Sequence, residues 1–281
     1  MSRLFGFMCN EPERLACALH PARESLVCAS APDGWGLAFF QGGEVLLQRH
    51  PKAPPGPLDF FQQVRELRTD YLVGQVRDPG VPAKLENTQP FRFRSWVYAQ
   101  SGLVPSFGSI QAGLLEHVPD FLRRNIRGQA DAEHVFHVFL SFLHDDGKLD
   151  DGNIRTVDVQ NGLRATSAML DRLASSAGAG PLEVNQMVTN GRILLAVRRT
   201  KPMWLRKASG ISDCRVCRDG AAEFTRTERR RVAHEHLRSV LLASEPEKLG
   251  TDGWEEVPEN SIISVSRDLA VSLMPLRATE S

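Results

Sequence analysis

The chain has 281 residues, an apolar content of 42%, and 34 basic side chains balanced by 34 acidic ones. This balance argues against nucleic acid or an anionic membrane surface as the main partner, and no apolar run reaches the ~18 residues of a membrane span. The start also lacks the basic and long apolar regions of a signal peptide. Five scattered cysteines, an odd number, favour reduced thiols in the cytoplasm over a disulfide framework.

Strand and helix signals alternate along the chain. A strand is predicted almost at the amino terminus, over residues 4–8. The further predictions are a helix or helix pair over 11–29 broken at Pro21, two strands over 33–50 joined by a Gly-Gly hairpin, a helix over 58–67, strands over 71–77 and 96–104, helices over 132–143 and 157–174, and strands within 187–200, 236–244 and 261–274. Strands followed by helices and then by strands indicate a single layered α+β domain, which we assign to residues 1–281.

Short motifs along the chain resemble, in their order and spacing, those of the class II glutamine amidotransferases. The resemblance is to the small members that are not fused to a synthase. The matching motifs are MSRLFGF at residues 1–7, DGWG at 33–36, QVR at 75–77, NTQPF at 87–91, AQSG at 99–102, GQADAE at 128–133 and LASEP at 242–246. Together they span nearly the whole chain.

The resemblance implies the four-layer α-β-β-α sandwich of the N-terminal-nucleophile hydrolases. In that family Met1 is removed, and the residue at position 2 attacks the side-chain amide of glutamine and releases ammonia. The freed α-amine, whose pKa lies near ~8, acts as the base of that nucleophile. The resemblance therefore places Ser2 at the nucleophile position.

Three departures from the family pattern concern the catalytic groups. The family nucleophile is cysteine, and a serine hydroxyl ionises much less readily than a thiol. Ser101 stands where the family has an oxyanion-hole asparagine, although Gly102 matches the oxyanion-hole glycine. The family's three motif histidines are replaced by Gln75, Gln89 and Gln100, which keep hydrogen-bonding side chains but cannot titrate. We expect these glutamines to supply replacement hydrogen bonds.

Two charged residues match the family's substrate clamp. Arg77 corresponds to the arginine that pairs with the substrate α-carboxylate, and Asp131 to the aspartate that binds its α-ammonium group. A guanidinium and an opposed carboxylate suit the two charges of an amino acid. We place Gln100 with Arg77 and Asp131 among the substrate-binding residues.

The leading hypothesis is a degraded family member that binds glutamine or a γ-glutamyl compound, hydrolyses it weakly or not at all, and acts as a regulatory or scaffolding partner of another protein. The alternative is an active amidohydrolase that uses Ser2 and releases ammonia from glutamine or a γ-glutamyl amide. A third reading is a protein-interaction module with a filled pocket. None of them calls for a cofactor, nucleic acid or a membrane.

Two further groups could suggest a metal. Cys214 and Cys217 form a lone C-x-x-C motif, and a zinc site needs further ligands, for which His234 and His236 are candidates only through proximity in sequence. Structural thiols in a loop are therefore preferred, and no metal site is predicted. His134 and His137, three residues apart beside phenylalanines, are interpreted as a packed helix flank.

Overall fold

Two antiparallel sheets form the centre of the molecule. The computed structural model describes residues 3–29, 31–77, 82–220, 232–249 and 253–277. The strands are β1 (Arg3–Cys9), β2 (Val27–Cys28), β3 (Trp35–Gln41), β4 (Glu44–His50), β5 (Leu58–Asp59), β6 (Tyr71–Val76), β7 (Phe91–Phe93), β8 (Trp96–Ser101), β9 (Asn185–Thr189), β10 (Leu194–Arg198), β11 (Met203–Ile211), β12 (His234–Ser244), β13 (Trp254–Glu256), β14 (Ser261–Val265) and β15 (Val271–Pro275). The α-helices are α1 (Leu15–Leu19), α2 (Phe60–Val64), α3 (Phe107–Glu116), α4 (Asp120–Arg123), α5 (Asp131–Asp145), α6 (Thr156–Ser176) and α7 (Arg215–Gly220), and short 3-10 helices cover Pro12–Arg14, His20–Leu26 and Leu85–Asn87.

The first strand of the chain lies inside a sheet rather than at its edge. The larger sheet has the order β13-β11-β12-β1-β6-β3-β4, and the smaller one the order β15-β14-β10-β9-β8-β7. Strand β1 pairs on one side with β12, where Phe5 lies opposite Ala243, and on the other with β6, where Leu4 lies opposite Gln75. All seven residues of β1 are buried. Both backbone edges of this apolar strand are therefore hydrogen-bonded, as burial requires.

Three apolar clusters fill the spaces between the layers. One lies between the sheets and contains Leu4, Met8 and Met187. A second packs α1 and α2 on the larger sheet, and a third packs α3, α5 and α6 on the smaller one. Complete burial of each Leu or Phe side chain contributes about 1.5–3 kcal/mol, so these clusters hold the layers together. The order helix, sheet, sheet, helix confirms the predicted four-layer α+β sandwich.

Most predicted elements are confirmed with shifted boundaries. The Gly-Gly hairpin joins β3 to β4 as expected, and the two central helices extend slightly beyond their predicted ends. The helix predicted over 58–67 is shorter, because Asp59 accepts hydrogen bonds from the amides of Phe61 and Gln62 and so starts α2 only at Phe60. Strand β11 was not predicted. No helix in the described part of the chain is long and apolar enough to cross a membrane.

The two histidines of α5 are packed inside the fold, as interpreted from the sequence. His137 is 3% exposed, and its Nδ1 lies 2.8 Å from the carbonyl oxygen of Glu133. Phe93 and Phe136 contact its ring. Burial is the main cause that lowers the pKa of His137 from 6.5 to about 4. The ring is therefore neutral in the folded chain at neutral pH.

We expect His137 to make the protein less stable as the pH falls from about 6.5 to about 4. In that window His137 is protonated in the unfolded chain but stays neutral in the folded chain. The free energy of unfolding therefore decreases, by up to about 3 kcal/mol. Urea denaturation at several pH values checks this, because His137→Leu should flatten the pH dependence. His117 makes the same contact with a carbonyl four residues earlier but is exposed, so His117→Gln is the matched control. An unchanged slope in His137→Leu would contradict the assignment.

Candidate active site

A cleft of about 690 Å³ opens where β1 begins and β6 ends. Arg3 pairs with Val76 in this part of the sheet, and Arg77 follows directly after β6. Both arginines line the cleft, together with Cys28, Asp33, Trp204 and Glu247. Ser2, the predicted nucleophile position, lies outside the described residues, but it is bonded to Arg3. The residue that follows Ser2 in the chain therefore lines this cleft.

Each arginine in the cleft is close to a carboxylate. Arg77 Nη2 lies 4.0 Å from Asp33 Oδ2. Arg3 forms an ion pair with Glu247 and also donates to the carbonyl oxygen of Val27 over 2.9 Å. Burial alone would raise the pKa of Glu247, but hydrogen bonds from Arg3 and the Ala29 amide outweigh it, so the pKa is lowered and the carboxylate stays charged. Glu245 also lines the cleft, so two arginines and three acidic residues border one cavity.

The glycines of the DGWG motif allow the chain to pass close to this site. The amide of Arg77 donates to the Gly34 carbonyl oxygen over 2.8 Å. A Cβ on Gly34 would lie 2.7 Å from the His50 carbonyl oxygen and 3.0 Å from Arg77 Nε, and one on Gly36 would lie 2.1 Å from the Gln89 carbonyl oxygen. The turn into β3 therefore needs glycine at both positions, because any side chain would displace the backbone at His50 or at Gln89.

The three glutamines that replace family histidines meet in one buried hydrogen-bond network. Gln89 Oε1 accepts from the Gln100 amide over 2.6 Å, and Gln75 Nε2 donates to the Gln100 carbonyl oxygen over 3.5 Å. The Gln100 side chain accepts from Tyr98 Oη at 2.9 Å and donates to the Gly102 carbonyl oxygen at 3.2 Å. Gln75 and Gln100 are completely buried. Gln100 therefore uses both ends of its side chain within the protein.

The predicted oxyanion-hole residues follow at the end of β8. Ser101 is 0% exposed, and its Oγ has no hydrogen-bond partner among the described residues. Gly102 has φ +83°, and a Cβ there would lie 2.3 Å from the Glu183 carbonyl oxygen. A side chain at position 102 is thus excluded by backbone conformation and by space. The hydroxyl at position 101 faces the interior of the fold.

Asp131, the predicted ammonium ligand, is held by hydrogen bonds within the protein. It is 6% exposed and begins α5. Its Oδ2 accepts from the Val104 amide at 2.6 Å and from Gln100 Nε2 at 3.3 Å, and its Oδ1 from the Ala132 amide at 2.8 Å. Burial raises its pKa, and these hydrogen bonds only partly counter that effect. Asp131 is absent from the described residues that line the cleft.

Residues 1–278 match the family model of glutamine amidotransferases, class-II. The chain belongs to this family. The match agrees with the order of the motifs along the sequence.

Two relatives of this class II amidotransferase chain extend the comparison. It is 25% identical over 254 residues to "Probable glutamine amidotransferase DUG3" of Saccharomyces cerevisiae, which covers 84% of this chain and 70% of that protein. It is 32% identical over 74 residues to gamma-glutamyl-hercynylcysteine sulfoxide hydrolase of Mycobacterium tuberculosis, covering 26% of this chain and 32% of that protein. The second alignment therefore spans about a third of the relative.

A solved structure supports the amidotransferase fold. A glutamine aminotransferase class-II domain protein from Silicibacter pomeroyi superposes with a TM-score of 0.58 and 15% sequence identity. The superposition covers 98% of this chain and 100% of that chain. At this identity the likeness establishes the fold alone.

The structure also locates residues that the sequence interpretation did not assign. Arg3, Asp33 and Glu247 lie around the cleft with Arg77. Asp33 opens the DGWG motif and Glu247 follows the LASEP motif directly, so both motifs pointed to this region without indicating a charge pairing. Gln100 and Asp131, predicted to bind substrate together with Arg77, are hydrogen-bonded to each other, with Gln100 Nε2 donating to Asp131 Oδ2 over 3.3 Å.

The C-x-x-C motif was interpreted as lying in a loop, but part of it is helical. Cys214 immediately precedes α7, and Cys217 lies in the first turn of that helix. Cys17 of α1 and His234 of β12 lie beside them. Residues about 200 positions apart thus meet, which no local pattern could indicate.

Proposed function

We propose that this class II amidotransferase binds glutamine or a γ-glutamyl compound in the cleft at Arg3 and Arg77, and hydrolyses it weakly or not at all. It would then act through binding, as a regulatory or scaffolding partner of another protein. The observation that carries the proposal is the contrast between an open charged cleft and a closed oxyanion-hole position at Ser101.

The cleft supports the binding half of the proposal. The α-amino acid end of a glutamyl compound carries one negative and one positive charge. Arg77 supplies a guanidinium that pairs well with a carboxylate, and Asp33 beside it is 58% exposed in its side chain and suits an ammonium group. Asp131 is already the acceptor of three hydrogen bonds, so Asp33 is the more accessible carboxylate.

The burial of Ser101 and Gln100 supports the proposal that hydrolysis is weak or absent. Hydrolysis of an amide needs donors aimed at the oxygen that becomes negative in the transition state. The Ser101 hydroxyl is fully buried, and the neighbouring Gln100 side chain is engaged with Tyr98, Gly102 and Asp131. Loss of one oxyanion donor typically slows such reactions by about 100- to 1000-fold. A serine at position 2 adds a weaker nucleophile than the family's cysteine.

The γ-glutamyl class of ligand is supported by a relative. The Mycobacterium tuberculosis protein that shares 32% identity over 74 residues is named as a hydrolase of a γ-glutamyl compound. Glutamine itself is the γ-amide of glutamate, so both ligands present the same α-amino acid group to Arg77.

Calorimetric titration with L-glutamine and a γ-glutamyl amide, combined with an assay of released ammonia, tests the proposal. We expect binding by the wild-type chain with little or no ammonia, and at least ~30-fold weaker binding by Arg77→Ala, because a charge pair is lost. Arg92→Ala is the control, since Arg92 bonds to Val45 and Glu44 away from the cleft.

Two results would contradict the proposal. Rapid ammonia release by the wild-type chain that disappears in Ser2→Ala would establish an active serine amidohydrolase. Failure of the folded chain to bind either ligand would instead favour a protein-interaction module.

A further inference from the structure

Four metal-ligating side chains converge at the end of the larger sheet away from the cleft. They are Cys17, Cys214, Cys217 and His234, and one ligand atom from each lies within 4.8 Å of the other three. Cys17, Cys214 and His234 are buried, and Cys217 is half-buried. Three separate elements supply them: α1, the start of α7, and the first residue of β12.

The spacing of these atoms matches a tetrahedral zinc site. Zn–S bonds of about 2.3 Å and Zn–N bonds of about 2.0 Å place tetrahedral S···S pairs about 3.8 Å apart and S···N pairs about 3.5 Å apart. Cys17 Sγ lies 3.5 Å from Cys217 Sγ, and Cys217 Sγ lies 3.4 Å from His234 Nε2. Small shifts of these side chains therefore suffice to surround one ion.

The local backbone holds the two cysteines of the motif in a suitable arrangement. The Cys214 amide donates to the Val232 carbonyl oxygen over 2.7 Å, and Arg218 donates its amide to the Cys214 carbonyl oxygen over 3.1 Å. The turn that starts α7 thereby orients both thiols towards α1. All five cysteines of the chain lie in its described part, and all are free.

We propose that Cys17, Cys214, Cys217 and His234 form a structural zinc site. Binding of Zn²⁺ converts three thiols to thiolates and releases three protons, while neutral His234 supplies a ring-nitrogen lone pair. Four protein ligands close the coordination sphere, as in structural rather than catalytic zinc sites. The metal would fasten α1 and α7 to the beginning of β12.

Arg14 complements the charge of this site. Three thiolates and one Zn²⁺ leave a net charge of −1, and the Arg14 guanidinium lies 3.3 Å from His234 Nε2 while its Nε contacts Glu11 at 2.6 Å. This places a positive charge beside the anionic centre.

The zinc site is distant from the cleft. His234 begins β12, whereas Ser244 ends it and accepts a hydrogen bond from the Leu4 amide next to Arg3. Ten residues of strand span about 33 Å. The metal is therefore not in contact with the residues of the proposed binding site, and its role is separate from the proposed function.

Metal analysis of the full-length chain, purified without chelator and with any affinity tag removed, tests the site. We expect elemental mass spectrometry to find about one zinc ion per chain. After exchange for cobalt, we expect the visible bands of tetrahedral Co²⁺ and a thiolate-to-cobalt charge-transfer band. Cys17→Ser and His234→Asn should lose the metal, whereas Cys9→Ser and His236→Asn should retain it. Cys9 is a suitable control because it is a buried thiol outside the cluster.

The cobalt spectrum and a thiol count on the wild-type chain keep the test independent of how the variants fold. Three thiols should be protected from a thiol reagent with zinc bound and become reactive after chelation. The proposal is overturned if the folded wild-type chain binds neither zinc nor cobalt, or if Cys17→Ser and His234→Asn keep wild-type metal content. A disulfide between two of the cysteines in freshly purified, metal-free chain would also overturn it.

Discussion

We expect a chain with Ser2→Cys and Ser101→Asn together to release ammonia from glutamine at least ~100 times faster than a chain with Ser2→Cys alone. Cysteine restores the family nucleophile, but Ser101 supplies no side-chain amide donor at the position that the resemblance assigns to the oxyanion-hole asparagine. Asparagine is longer than serine and carries two N–H groups, so it can reach an oxyanion that the Ser101 hydroxyl cannot. The measurement is the initial rate of ammonia release under saturating glutamine, after intact mass has shown that Met1 is absent.

The control for this prediction is Ser101→Asn combined with Ser2→Ala. That chain gains the donor but has no nucleophile, so no increase in rate is expected. Equal rates with and without Ser101→Asn, in folded chains that bind glutamine equally well, would show that the missing donor is not what limits hydrolysis. Slow hydrolysis would then have its cause elsewhere in the cleft.

The second large effect concerns stability, and we expect Gly102→Ala to lower the free energy of unfolding by about 4 kcal/mol. Two costs add at this position. The left-handed φ of +83° costs an L-residue about 1–2 kcal/mol, and the new Cβ would lie 2.3 Å from the Glu183 carbonyl oxygen, so backbone has to move. Urea denaturation followed by circular dichroism measures the loss.

Gly43 provides a matched comparison for Gly102. It has the same φ of +83° in the hairpin between β3 and β4, but a Cβ there would meet nothing within 4 Å. Gly43→Ala should therefore cost only about 1–2 kcal/mol. If the two variants lose the same stability, the close approach of Gly102 to Glu183 is not rigid, and the steric part of the explanation is wrong.

Local patterns in the sequence predicted a layered α+β domain, and the family resemblance implied that it is a four-layer sandwich. The Gly42-Gly43 hairpin, the apolar stripes of α5 and α6, and the apolar first strand all carry signals within a few residues. Strand β11 escaped prediction because it contains Arg206, Lys207 and Gly210, and only Met203 and Leu205 of its nine residues are buried. It also lies next to the short edge strand β13, away from the centre of the sheet.

The sequence motifs named residues of the candidate site but not the contacts between them. The motifs identified Arg77, Gly102 and the three glutamines, and the structure brings the glutamines together in one network. That Asp131 bonds to Gln100, and that Asp33 lies beside Arg77, depends on how separate layers meet. The same applies to Cys17 and His234, which are 217 residues apart in the chain. Such contacts have no signature in a single sequence.

The central place of β1 has a consequence for how the chain is made. Its neighbour β6 is available soon after β1 leaves the ribosome, but Phe5 must wait for Ala243, which is 238 residues later. At the usual rates of translation this delay is about 10 to 50 seconds. Throughout that time one edge of an apolar strand lacks its partner, which is the condition under which nascent chains aggregate or bind chaperones. Synthesis in the cell therefore exposes this protein to a hazard that its finished structure completely conceals.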